Sequence, residues 1–144
     1  MQILGSLYNP PPLTMEDFAK NNSLIATKIM GIDPSRIHII KDHIFVGYSL
    51  LIRLNYHENY NLLMGAVEAI ELDGTVLFTI EGNSAAVSAR YPAFEGDDHV
   101  GLYFVVEPIE AETKKLAIWK ACLAYIAAVE AKPLYKPTCK PLNK

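Results

Sequence analysis

Two stretches of the sequence carry the same chemically useful residue types: arginine, aromatic residues and histidine. Residues 53–61 read RLNYHENYN, and residues 90–99 read RYPAFEGDDH. Arginine offers a planar fork to a carboxylate or phosphate, aromatic rings stack on flat groups, and asparagine and histidine form hydrogen bonds. These stretches therefore predict a surface that recognises a small anionic or ring-containing ligand, or a protein partner. The predicted ligand-binding residues are Arg53, Tyr56, His57, Tyr60, Arg90, Tyr91, Phe94 and His99.

A metal site is an alternative use of the same residues. Asp97 and His99 are two positions apart, so on an extended chain both side chains point to one face, and His57 or Glu58 could complete a site for zinc, manganese or iron. Because a pair of ligands at this spacing recurs by chance in many sequences, the sequence favours ligand recognition over a metal-assisted hydrolase. We expect no resident cofactor.

The motifs of the common enzyme classes do not occur in the sequence. There is no phosphate-binding GxxxxGK[ST], no GxGxxG, no GxSxG, no HExxH and no CxxC. Ser84 lacks the second glycine of a nucleophile elbow, and Cys122 lies among the apolar residues of a predicted helix. Glu95, Asp97 and Asp98 are more typical of a solvated sheet edge than of paired catalytic acids. The sequence assigns no catalytic residue, and it favours a binding protein over an enzyme.

Length and charge limit the classes of partner. The chain has 144 residues with a net charge of -3, which fits one globular domain. Four lysines fall in the last thirteen residues, so nine basic residues remain against sixteen acidic ones in residues 1–131, a net charge of -7. Such a body repels phosphates, which argues against nucleic acid. No apolar run predicts a membrane span or a secretion signal, and two cysteines fit a reducing compartment, so a cytoplasmic location is expected.

Hydrophobic periodicity predicts the elements that position the two stretches. An apolar stripe after Thr14 predicts a helix over about residues 15–30, with a possible break at its asparagines and an end at Gly31. Shorter apolar runs predict strands at 37–40, 44–56, 62–72, 75–80, 85–91 and 99–106. Asp73-Gly74 predicts a type I′ hairpin. Residues 41–43 and 81–84 predict further tight turns, and Gly47 and Gly65 predict bulges or bends.

The strongest helical pattern lies near the C-terminus. Pro108 predicts its first position, and Lys132-Pro133 predicts its end after Ala131. Two apolar stripes cover most of its circumference. The second stripe predicts either burial between the sheet and the N-terminal helix or an interface with another copy of the chain. The predicted interface residues are Ile118, Cys122, Tyr125 and Val129.

Together these patterns predict an α+β fold. A curled antiparallel meander of about five or six strands carries an N-terminal helix and a long C-terminal helix. Residues 1–131 are expected to form one domain, followed by an extended basic Lys/Pro tail over 132–144. The predicted function is a non-catalytic, cytoplasmic, homo-oligomeric binding protein. The alternatives are a metal-assisted hydrolase using His57, Asp97 and His99, or a structural assembly subunit whose basic tail joins acidic neighbours.

Overall fold

Three α-helices and six strands make up the described part of the chain. The computed structural model describes residues 15–47, 50–72, 76–89 and 103–132. The helices are α1 (Met15–Leu24), α2 (Tyr60–Glu71) and α3 (Lys114–Ala131). The strands are β1 (Ile37–Ile40), β2 (His43–Val46), β3 (Ile52–Arg53), β4 (Val76–Glu81), β5 (Ser84–Ala89) and β6 (Tyr103–Glu110). A π-helical turn, Ile25–Ile29, continues α1, and a 3₁₀ turn, Pro34–Arg36, precedes β1.

The predicted α+β class is confirmed, with antiparallel strands and a long C-terminal helix. The predicted single curled sheet is not what forms, because the strands divide into two sheets of three, in the orders β1-β2-β3 and β4-β5-β6. Both sheets are antiparallel throughout. The helix α2 lies between them in sequence, so the meander is interrupted after β3.

The largest correction concerns the predicted strand over 62–72, because residues 62–71 lie in the helix α2. Asn59 begins this helix because its side-chain oxygen accepts a hydrogen bond from the Leu62 N–H at 3.1 Å. The buried residues then follow helical spacing: Leu63, Ala66, Val67 and Ile70. The predicted hairpin around Asp73-Gly74 is therefore wrong, since its first strand does not exist. Residues 73–75 themselves lie outside the described residues, and Gly65 lies inside the helix rather than at a bulge.

The turn predictions are confirmed where the structure describes them. Lys41 and Asp42 both have positive φ angles, 49° and 65°, as a two-residue type I′ turn between β1 and β2 requires. Gly82, with φ 58°, turns the chain between β4 and β5. Gly31 ends the N-terminal helical segment at φ 72°. Gly47, at φ 128°, bends the chain after β2, so the predicted strand over 44–56 is broken into β2 and β3.

Pro108 does not begin the C-terminal helix. It lies in β6, which is an edge strand. Val106 pairs with Val87 and Ile109 pairs with Ala85, so β6 has one more residue than β5 between these pairs and forms a bulge. An edge strand at such a bulge tolerates proline, because the missing N–H is not needed by a neighbouring strand. The helix α3 begins later, after Thr113, whose side-chain oxygen accepts from the Leu116 N–H at 3.1 Å. Its end at Ala131 is as predicted.

The core forms around α3, which packs against β5, β6, α2 and the π-helical turn. Trp119, Ile118 and Cys122 are among its largest fully buried side chains. Ile118 and Cys122 were predicted at an interface between copies, but both are completely enclosed within one chain, as the alternative interpretation expected. Neither residue is available to a second copy, because both have no exposed surface and pack in the core of one chain.

Candidate functional site

A polar cluster lies where β3 leads into α2. The Arg53 guanidinium lies 3.5 Å from a Glu58 carboxylate oxygen and donates a hydrogen bond to His43 Nδ1 at 3.1 Å. The Asn55 amide donates to the same Glu58 oxygen at 3.3 Å. This bond is the main reason that the pKa of Glu58 lies below its ordinary value. The cluster therefore holds Arg53 at the surface with part of its donor fork already used.

A second histidine, His57, lies beside this cluster, with Nε2 3.8 Å from the other Glu58 carboxylate oxygen, and belongs to a hydrogen-bond chain that reaches the core. Trp119 Nε1–H donates to Asn22 Oδ1 at 2.8 Å, and Asn22 Nδ2 lies 2.9 Å from His57 Nδ1. An indole nitrogen can only donate, so Asn22 must present its oxygen to Trp119 and its NH₂ to His57. His57 Nδ1 is then the acceptor and carries no proton. The neutral imidazole with its proton on Nε2 is the form that this network requires.

The surroundings of His57 agree with that form. Its ring stacks on Phe18 with centroids 4.1 Å apart and planes inclined by 15°. Burial lowers the pKa of His57 below 6.5, although Glu58, 3.8 Å from Nε2, favours the charged form. His57 is thus positioned chiefly as a structural link between the loop, α1 and α3.

The structure describes four of the eight predicted ligand-binding residues, and they lie in different surroundings. Arg53 and His57 lie in the polar cluster, and Tyr60 is exposed at the first turn of α2. Tyr56 is 2% exposed, and burial raises its pKa to about 12, so it packs in the core rather than facing a ligand. The meeting of the two stretches stays a prediction, because the other predicted residues lie outside the described residues: Arg90, Tyr91, Phe94 and His99.

The depression beside the polar cluster is small. It is lined by Phe18, Asn22, His43, Arg53 and His57, among others, and its volume of about 10 Å³ has room for roughly one water molecule. A ring-containing ligand does not fit into it. Of the predicted metal ligands, His57 is engaged as described and Asp97 and His99 lie outside the described residues. In the ranges that the structure describes, no three metal-binding side chains cluster.

A larger groove lies where the three helical segments meet, and the sequence did not reveal it. Its volume is about 290 Å³. One side comes from the π-helical turn, a second from α2 and a third from the last turns of α3. Its lining residues are Lys28, Ile29, Ala69, Ile70, Tyr125, Ile126, Val129 and Glu130. Tyr125 and Val129 belong to the predicted interface stripe, so the excess apolar surface of α3 was the available signal.

Opposite charges meet at the rim of this groove. Lys28 Nζ lies 3.2 Å from Glu130 Oε2, and both side chains are about half exposed, at 52% and 54%. Apart from these two residues, the lining residues are aliphatic, with the exception of Tyr125. The groove thus combines apolar side chains with one cation and one anion.

The fold and this groove define an α+β domain with a helix-lined cleft. No protein-family model, curated protein sequence or solved structure matches the chain. Among the described residues, no helix is both long and apolar enough to cross a membrane.

Proposed function

We propose that the protein is a non-catalytic binding protein whose ligand is a small ring-containing molecule with an anionic group. The observation that carries this proposal is the groove between the π-helical turn, α2 and α3. Its volume of about 290 Å³ is at the lower end of the range for small-molecule sites, which runs from roughly 300 to 1,000 Å³. A ligand with one or two rings is of the matching size.

The lining of the groove favours this chemical class. Ile29, Ile70 and Val129 supply apolar walls, and Tyr125 supplies an aromatic face for a ring. Lys28 supplies a cation among the lining residues. An ion pair as exposed as Lys28–Glu130 contributes about 0–1 kcal/mol, so a ligand anion can replace Glu130 beside Lys28 at little cost.

Two reactive side chains of the described part are committed to the fold, which supports binding rather than catalysis. Burial raises the pKa of the Cys122 thiol to about 12, so it does not supply a thiolate nucleophile at neutral pH. His57 uses Nδ1 to accept from Asn22, and this nitrogen is not free to act as a general base.

The test uses 1-anilino-8-naphthalenesulfonate, an anionic aromatic dye, as the probe. Fluorescence titration of the folded protein is expected to show saturable binding. Val129→Phe narrows the groove and should abolish most of this binding, while Lys28→Gln removes the cation and should weaken it about threefold to tenfold. Lys20→Gln is the matched control, because Lys20 is an exposed lysine on α1 that does not line the groove.

Two outcomes would overturn the proposal. One is an absence of saturable dye binding by the wild-type protein. The other is binding that survives Val129→Phe unchanged, which would place the dye on an exposed apolar surface elsewhere. Native mass spectrometry of gently purified protein then identifies the natural ligand as a discrete added mass.

A further inference from the structure

The groove places an acidic residue, Glu130, at the end of a helix where a negative charge is unfavourable. Glu130 is the last residue but one of α3, a helix of 18 residues. The C-terminus of a helix carries a partial negative charge, because its last carbonyl groups are aligned and have no partners within the helix. A cation is therefore favoured beside the Glu130 carboxylate, and Lys28 of the π-helical turn supplies one.

A ligand whose only charge is an anion satisfies one half of this pair. The Lys28 ammonium lies 3.2 Å from the Glu130 carboxylate, so a ligand anion that binds Lys28 takes the place of Glu130 there. The two negative groups are then neighbours, and they repel each other. A cationic group on the same ligand removes this repulsion, because it pairs with the Glu130 carboxylate and with the negative end of α3.

The contact between Lys28 and Glu130 also limits how far apart the two charged groups of the ligand can be. Since the two side chains meet directly, the groups that bind between them must be close together. The ammonium and carboxylate of an α-amino acid are attached to one carbon atom, so they meet this requirement. The net charge of such a zwitterion is zero, and the chain, with its net charge of -3, does not repel it at long range.

The remaining lining residues favour an aromatic side chain on this amino acid. They are aliphatic except for Tyr125, whose ring offers a partner to a second ring. We propose that the groove binds an aromatic α-amino acid as its zwitterion, with the carboxylate beside Lys28, the ammonium group beside Glu130 and the ring against Tyr125. This inference rests on the proposed function and names the class of ligand.

Three related compounds separate the contributions of the two charges. L-phenylalanine carries both charges near neutral pH, phenylpropionate lacks the ammonium group, and phenethylamine lacks the carboxylate. Isothermal titration calorimetry with the full chain should show that phenylalanine binds about tenfold more tightly than either of the other two compounds. L-leucine, which keeps both charges but has no ring, should bind about threefold more weakly than phenylalanine.

Two variants test the assignment of each charge. Glu130→Gln should weaken the binding of phenylalanine about tenfold and should not weaken that of phenylpropionate, which has no ammonium group. Lys28→Gln should weaken the binding of both compounds that carry a carboxylate. Both residues are about half exposed, so neither change is expected to disturb the fold. Glu68→Gln is the matched control, because Glu68 is an exposed acid on α2 that does not line the groove.

The possible results distinguish this inference from the proposed function. Saturable binding of the anionic dye together with equal affinities for phenylalanine and phenylpropionate overturns the zwitterion and leaves the proposed function intact. Phenylalanine binding that is unchanged in Glu130→Gln has the same meaning. Leucine that binds as tightly as phenylalanine overturns the aromatic side chain. If neither the dye nor phenylalanine binds, the proposed function fails, and this inference fails with it.

Discussion

Replacing Asn22 by leucine should break the buried hydrogen-bond chain that joins α1, α3 and the loop before α2. Asn22 is buried, and it is the acceptor for the Trp119 indole N–H and the donor to His57. In Asn22→Leu, the buried Trp119 N–H is left without a partner, which costs about 1–3 kcal/mol. The loss of the hydrogen bond to the half-buried His57 Nδ1 costs about 1 kcal/mol more. The additional apolar burial of leucine offsets a similar amount.

The expected net loss is therefore about 2 kcal/mol in the free energy of unfolding, or roughly 6 °C in Tm for a domain of this size. Trp119 is the only tryptophan of the chain, so its fluorescence during urea unfolding reports on the altered site directly. Asn21→Leu is the matched control: the same change on the same helix, at a half-buried residue for which the described part of the chain shows no side-chain hydrogen bond. It should stay within about 0.5 kcal/mol of the wild type. Equal stability of the two variants would refute the assignment of the network.

Three further features of the structure, at His57, Gly47 and Gly65, can be tested by unfolding experiments. The pKa of His57 is lower in the folded chain than its ordinary 6.5, so the unfolded chain takes up a proton first and stability is lost as the pH falls below 6.5. Urea midpoints measured at about pH 7.5 and pH 5.5 should differ less in His57→Gln than in the wild type, and an unchanged difference would contradict the role of His57. Gly47→Ala should destabilise the fold by about 1–3 kcal/mol, because φ is 128° and an added Cβ would collide with the Leu50 carbonyl. Gly65→Ala, on the helix α2 with open space for an added Cβ, should stabilise the fold by up to about 1 kcal/mol. The same change in the free energy of unfolding for Gly47→Ala and Gly65→Ala, measured by urea unfolding, would contradict this reasoning.

Local signals in the sequence predicted local structure well. The turn at Lys41-Asp42, the turn at Gly82 and the end of the N-terminal helical segment at Gly31 each depend on one or two residues with positive φ angles. Such conformations are nearly independent of the rest of the chain. The long C-terminal helix was equally clear, because its apolar residues extend over several turns.

The errors arose where two local signals competed. Residues 62–72 contain an apolar run that fits a strand or a buried helix, and Asp73-Gly74 favoured the strand interpretation. Asn59 was the signal that distinguishes a helix from a strand here, because it can cap a helix three residues before Leu62, where the apolar run begins. Pro108 fitted a helix start, but it also fits an edge strand, and only the pairing of β6 with β5 decides between these.

The candidate site could be predicted only in part for a different reason. Arg53 and His57 belong to one short stretch, so their proximity was visible in the sequence. The groove brings Lys28, Ala69 and Val129 together from three distant segments. No spacing rule connects such residues, because their meeting depends on how the helices pack.

The hydrogen bond between Asn22 and Trp119 also constrains when the chain can fold. It joins residues 97 positions apart, from the first described helix to the last. During synthesis, α1 leaves the ribosome long before α3, and a long loop must close before the two can meet. Because α3 supplies the centre of the core, the preceding segments have no completed interior on which to settle until α3 has been made. The fold is therefore expected to form only after α3 has emerged from the ribosome, in a step that Trp119 fluorescence can time.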